Sequence, residues 1–247
     1  MRGLWLVLLV GCSARLGYSI QPPDPDGGPV GNGGGSNQTS PADAAPDAAV
    51  CASGRVLYLE FEGAALTATN AASDATQNQA QWLGVGDATM PPFRQGAGDR
   101  ATQIADTVTA IQTTLAGFPD IQIVTTRPVA GPYFMIGFGG SNQDANVPYL
   151  YAVNRLDCND AGTKSDVAWV FEAAENPQRA ANFAIGALLF GLGATGTNDS
   201  NDCMCGWLTS CNPGNGACTI STQINAAAGC NAANPVDETT YLAGFCD

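Results

Sequence analysis

Hydrophobic and polar residues alternate from Val56 to Glu62. Leu57, Leu59 and Phe61 share one face, and Tyr58, Glu60 and Glu62 share the other. A period of two predicts a strand. Apolar residues next recur at three- and four-residue steps, at Ala101, Ile104, Val108, Ile111, Leu115 and Phe118. This is the stripe of an amphipathic helix, with Asp99 placed to cap its start and Gly117 near its stop. Three β-rich runs follow: Ile121 to Thr126, ending before Pro128; Tyr133 to Phe138; and Val167 to Phe171. Asn176-Pro177 then offers an N-cap and a first-turn proline. Gln178 to Leu192 is apolar on nearly every side, which predicts a buried helix. Asn182 interrupts it, so it does not read as a membrane span. The predicted order is strand, helix, three strands, buried helix and a cysteine-rich tail over about 203–247. Residues 51–247 are long enough to form one α+β domain with its own core.

The first fifty residues follow a different logic. Arg2 is a minimal basic start and Leu4 to Val10 is a short apolar stretch, too short to span a bilayer. It leads into Leu9-Val10-Gly11-Cys12, which resembles the bacterial lipobox, whose cysteine is acylated and becomes the first mature residue. Residues 1–12 are thus expected to be a lipoprotein signal peptide, with an ordinary cleaved signal as the alternative. Residues 13–50 are rich in Pro, Gly, Ala and Asp and hold almost no large apolar side chain. Such a segment cannot offset its ordering entropy by burial, so a disordered tether is expected. The implied location is extracytoplasmic, with lipid anchorage to a bacterial membrane, the outer membrane or cell surface being favoured.

Cysteine usage agrees with export. The chain has 9 cysteines. Setting Cys12 aside for lipid leaves Cys51, Cys158, Cys203, Cys205, Cys211, Cys218, Cys230 and Cys246, an even set that suggests disulfides. Five of these lie within 205–246 and Cys203 lies just before them, so a stapled, loop-rich C-terminal segment is expected. Cys203 and Cys205 are too close along the chain to pair comfortably with each other. The net charge of −13, with Lys164 the single lysine, argues against nucleic acid and against charge-driven binding to anionic lipid. Membrane contact is expected through the lipid anchor only.

Composition also removes one branch of chemistry. The chain contains 0 histidines. Catalytic zinc sites and near-neutral proton transfer both rely on imidazole, so a His-ligated zinc and any His-dependent triad are excluded.

The element order, together with several short strings, resembles the metzincin zinc proteases, in particular matrixin-like secreted bacterial members. The strings are Val56-Leu57-Tyr58-Leu59-Glu60-Phe61-Glu62-Gly63, Ile123-Val124-Thr125-Thr126-Arg127-Pro128, Gly131-Pro132-Tyr133-Phe134-Met135-Ile136, Leu156-Asp157-Cys158, Phe190-Gly191-Leu192 and Asp202-Cys203-Met204. The resemblance implies a mixed sheet with two main helices and a zinc-binding helix of the form H-E-x-x-H-x-x-G-x-x-H. Placing the family glycine at Gly191 puts Ala184 at the first ligand, Ile185 at the general base, Leu188 at the second ligand and Ala194 at the third. All four are apolar. Gly191 is retained, and Met204 lies where the family's Met-turn is expected. The resemblance also favours a Cys158–Cys203 disulfide, since both cysteines lie in matching segments. It implies a degenerate member: not an enzyme, with no zinc, acting by binding. Read without the resemblance, residues 180–194 are a core helix, and zincin chemistry is excluded either way. Apolar replacements at such a site would stabilise the helix by about 1–3 kcal/mol per large side chain.

Other candidate chemistry is sparse. Glu60 with Glu62, and Glu172 with Glu175, are carboxylate pairs that could serve a glycosidase-like hydrolase. Solvated edge residues are the plainer reading. Asn198, Asp199, Asn201 and Asp202 form an oxygen-rich turn, with Asp199 and Asp202 as weak calcium candidates. Their spacing does not match the calcium-loop pattern. Ser and Cys nucleophiles lack a histidine partner, leaving Lys164 as the sole substitute base. The expected partner is a protein or peptide, with a purely structural envelope lipoprotein as a further alternative.

Overall fold

The computed structural model describes residues 51–247 apart from 52, 85, 149–150, 161, 175, 223–229 and 231–236. The expected signal peptide, lipidated Cys12, the tether and Glu175 lie outside the described residues.

A five-stranded mixed sheet organises the domain. Its strands are β1 (Val56–Glu60), β5 (Ile123–Val124), β6 (Tyr133–Phe138), β7 (Ala152–Val153) and β8 (Val167–Val170), in the order β5-β1-β6-β8-β7. All neighbours are parallel except β7, which runs antiparallel to β8. Two helices, α1 (Arg100–Thr114) and α2 (Pro177–Gly191), pack on one face of this sheet and on each other. The opposite face is covered by a small sheet of β2 (Ala64–Ala68), β3 (Gln79–Ala80) and β4 (Ala88–Met90).

This second layer explains why the alternation in β1 does not mark a half-exposed strand. Leu57, Leu59 and Phe61 face the helices, where they join Phe134, Ile136 and Phe138. Tyr58 faces the other way, against Tyr133, Met135 and Trp169. Both faces are buried, as is usual for parallel sheets. Trp82 closes the second layer by donating its indole N–H to the Val167 carbonyl at 2.7 Å. The strand stops at Glu60, so Glu62 lies beyond it rather than on the same strand face.

Helix α1 begins where Asp99 predicts, but the Asp99 side chain makes no capping bond. It accepts instead from the Arg94 guanidinium at 2.8 and 2.9 Å, which holds its carboxyl below the usual range. Only Thr107 and Ile111 are fully buried within α1, while Ala101 is exposed. In α2, Asn176 does cap the helix, accepting from the Arg179 backbone N–H at 2.8 Å. All but two of the 15 residues of α2 are buried. No helix among the described residues is long and apolar enough to cross a membrane.

The tail contributes one short helix, α3 (Glu238–Ala243), and is held by four disulfides: Cys51–Cys246, Cys158–Cys230, Cys203–Cys218 and Cys205–Cys211. The expected Cys158–Cys203 bond is therefore corrected. Cys203 lies beside the 218–219 segment, donating its N–H to the Thr219 carbonyl at 3.1 Å. Asn182, the polar interruption of α2, accepts from the Cys218 N–H at 3.2 Å and so brings that cysteine to the same place. Cys203 and Cys205 do not pair with each other, as their closeness requires.

Cys51 and Cys246 are 195 residues apart, whereas Cys205 and Cys211 are 6 apart. Closing the longer loop constrains the unfolded chain more. Replacing Cys51 and Cys246 together by Ser is expected to lower unfolding free energy by about 2–5 kcal/mol. The Cys205→Ser, Cys211→Ser pair should cost less. Urea denaturation of both double variants checks the ranking.

Candidate functional site

The C-terminal half of α2 and the segment after it carry the positions that the resemblance assigns to zinc chemistry. Ala184, Ile185, Leu188 and Ala194 are each at most 1% exposed. All four belong to one apolar cluster that also contains Met204 and Trp207. Ala184 and Leu188 stand one turn apart on one side of the helix. Ala194 follows the helix end, where its N–H donates to the Leu189 carbonyl at 2.9 Å. The chain then runs beside the Met204 segment, with the Thr197 N–H donating to the Met204 carbonyl at 3.3 Å. None of these side chains offers a lone pair to a metal or a proton to a substrate.

Glycines set how tightly α2 is enclosed. A Cβ on Gly191 would stand 2.6 Å from both the Phe134 ring and the Asn154 side-chain nitrogen. Gly191 thus faces the sheet at a distance only glycine permits. The reversal of the chain is not at Gly191 but at Gly193, whose φ is +108°. On another face, a Cβ at Gly186 would meet the Cys203 carbonyl at 2.6 Å and the Trp207 indole. Trp207 also packs on Phe190, ring centroids 5.1 Å apart. Sheet on one side and the 203–207 turn on the other leave α2 enclosed.

Met204 is held by Asp202. The Asp202 carboxylate accepts from the Met204 N–H at 2.7 Å and also bonds the Glu238 side chain, linking the turn to α3. Burial raises the Asp202 carboxyl above its usual range, partly offset by those bonds. Asp199, by contrast, is exposed and accepts from the Asn201 N–H at 3.0 Å, a local turn bond. Asp199 and Asp202 therefore accept hydrogen bonds from different neighbours.

The carboxylate pairs are similarly divided. Glu60 is buried; it accepts from the Tyr58 hydroxyl and, at 2.6 Å, from the Glu62 N–H. Burial and this bond to Glu60 keep the Tyr58 phenol protonated far above its usual range. Glu62 is exposed and pairs with Arg100 at 2.9 Å. Glu172 accepts from the Arg94 N–H at 2.6 Å. Each of the described carboxylates, Glu60, Glu62 and Glu172, has its own structural partner. Lys164 pairs with Asp160 at 3.0 Å.

One polar assembly was not anticipated. Asp157, Asp160 and Asp166 converge, each offering an oxygen within 4.8 Å of the others. They gather around Arg55, which is fully buried, bonds Asp160 through both terminal nitrogens at 2.5 and 3.1 Å, and stacks on Phe245 at 4.5 Å. The string Leu156-Asp157-Cys158 was noted for resemblance alone. Arg55 lies 105 residues from Asp160, a separation that no local pattern reveals.

Scans of family models, of curated proteins and of solved structures return no match to this chain.

A raised carboxyl pKa has a defined consequence for the Met204 turn. Folded Asp202 holds its proton to higher pH than the unfolded carboxyl, whose ordinary value is 3.8. Its favourable contribution is full below that value and is lost as pH rises through the elevated folded value. Asp202→Asn keeps an acceptor for Met204 while removing the Asp202 titration. Its stability relative to the native chain should therefore increase with pH from about 4 upward. Chemical denaturation of both proteins across pH 3–8 checks the sign.

Proposed function

We propose that this chain is a catalytically inactive, metalloprotease-like lipoprotein domain that acts as a binding or surface module. The observation carrying this reading is the burial of Ala184, Ile185, Leu188 and Ala194 as hydrocarbon in one cluster with Met204. The order within the main sheet and its helices supports it: strand β1, helix α1, strands β5, β6, β7 and β8, and buried helix α2, with the small sheet β2–β4 inserted between β1 and α1. The two large helices lie on one face of a mixed sheet, as the resemblance to metzincins implies. Four disulfides suit an oxidising, extracytoplasmic setting, with Cys12 as the lipid anchor. A protein or peptide partner in extended form could add to an edge of the main sheet, which ends at β5 and at β7.

The alternative hydrolase using carboxylates requires two acidic groups facing a common substrate. Glu60 is bonded internally to Tyr58 while Glu62 points to Arg100, an arrangement better suited to joining β1 to α1. A purely structural envelope role differs from the binding role only in lacking a specific partner.

Purified full-length protein should retain no stoichiometric zinc by elemental analysis and should cleave no member of a broad peptide and glycoside panel. Glu60→Gln and Glu62→Gln should change nothing in that panel. Stoichiometric zinc with peptide cleavage would falsify the proposal, and glycoside cleavage abolished by either Gln variant would establish the carboxylate hydrolase. Recovery of one defined partner by pull-down separates the binding module from the structural one.

A further inference from the structure

We propose that Asp157, Asp160 and Asp166 form a binding site for one hard divalent cation, with calcium the best fit. The site lies in the loop between β7 and β8, away from α2, and is independent of any protease ancestry.

Proximity of three carboxylates alone would not define a site. The additional observation is Asp166. It is 4% exposed, and its Oδ2 is fully enclosed without a hydrogen-bond partner among the described residues. A buried ionised oxygen left unpaired is costly, by several kcal/mol in general, and such groups are normally protonated or metal-bound. A divalent cation would supply the missing partner.

The neighbours leave room for coordination. Asp157 Oδ2 accepts from the Gly162 N–H at 2.9 Å, leaving its second oxygen for other use. Asp160 is oriented by Arg55 from the buried side. On the outer side it is met by Lys164, whose side chain is 40% exposed and can swing into solvent. Each carboxylate oxygen accepts more than one partner, so Asp160 can keep Arg55 and take a cation in place of Lys164.

Spacing selects among ions. Oxygens bound to one calcium at about 2.3–2.6 Å stand no more than about 5 Å apart. The three ligand oxygens here lie within 4.8 Å of one another. Magnesium demands near-octahedral order and dehydrates reluctantly, so a set of protein carboxylates suits it less well. An all-oxygen ligand set without sulfur or imidazole disfavours zinc and copper. Three carboxylates beside two cations leave one net negative charge, so affinity in the range of extracellular calcium modules, about 0.1–1 mM, is expected.

The test uses the full chain with disulfides intact, stripped by chelator and titrated with calcium chloride or magnesium chloride in a calorimeter and in thermal melts. One calcium per chain is expected, with a melting-temperature rise of about 5 °C at saturation and a weaker magnesium response. Asp166→Asn and Asp157→Asn should each remove the binding heat and the melting shift. Asp166→Asn should melt no lower than the stripped native chain, since the near-isosteric amide relieves the buried charge. Lys164→Ala should tighten calcium binding several-fold by freeing Asp160, whereas Asp199→Asn should leave it unchanged. No calcium response up to about 10 mM, beyond the range of extracellular modules, would overturn the proposal. So would binding that survives both Asp→Asn variants or is lost with Asp199→Asn.

Discussion

Everything in this domain is arranged to bury α2. All but two of its 15 residues are withdrawn from water, against the main sheet on one side and the 203–207 turn on the other. A helix so enclosed has almost no solvent-facing surface. Its neighbours are selected for closeness: glycine at 186 admits Trp207 and glycine at 191 admits Phe134. Packing at interior density punishes both cavities and overpacking, so this fit constrains the cysteine-rich tail as firmly as its disulfides do.

The same principle accounts for the polar residues that are buried. Asn182 satisfies its amide against the Gly216 carbonyl and the Cys218 N–H, turning an interruption in the apolar helix into the anchor of the tail. Asp202 fixes the Met204 turn and reaches α3. Arg55, just before β1, binds the Phe245 carbonyl and Asp160, so the start of the sheet, the β7–β8 loop and the C-terminus meet at one cation. The Cys51–Cys246 bond closes the same junction covalently. Apart from the local Asp202–Met204 bond, each of these links joins segments distant in sequence, and none is part of a repeating pattern.

That distinction explains what could be read from the chain. Tyr133–Phe138, the span of α2 and the Asn176 cap were legible because periodicity and capping are local. The three short strands β2, β3 and β4 were not, because Ala64–Ala68 and Ala88–Met90 carry weak β signals and become strands only by covering the far face of the main sheet. Covering that face is also what buries Tyr58 and Glu60, which alternation alone would have left in water. Among site residues, the apolar side chains at 184, 185, 188 and 194 were visible in the sequence because they sit at fixed spacings on and just after one helix. The Asp157, Asp160 and Asp166 cluster was not, since only the fold brings it to Arg55. The Cys158–Cys203 expectation failed for a related reason: the partner of Cys203 is chosen by the 218–219 segment pairing beside it.

The central claim is that Ala184, Leu188 and Ala194 occupy the places of three lost zinc ligands. The most direct measurement is zinc binding by the combined variant Ala184→His, Leu188→His and Ala194→His. Three imidazoles in an apolar core should lower the melting temperature in chelator, and one equivalent of zinc should restore it, since a metal that binds only the folded state stabilises it. A folded variant that takes up no zinc, or a melting curve that zinc leaves unchanged, would contradict the account.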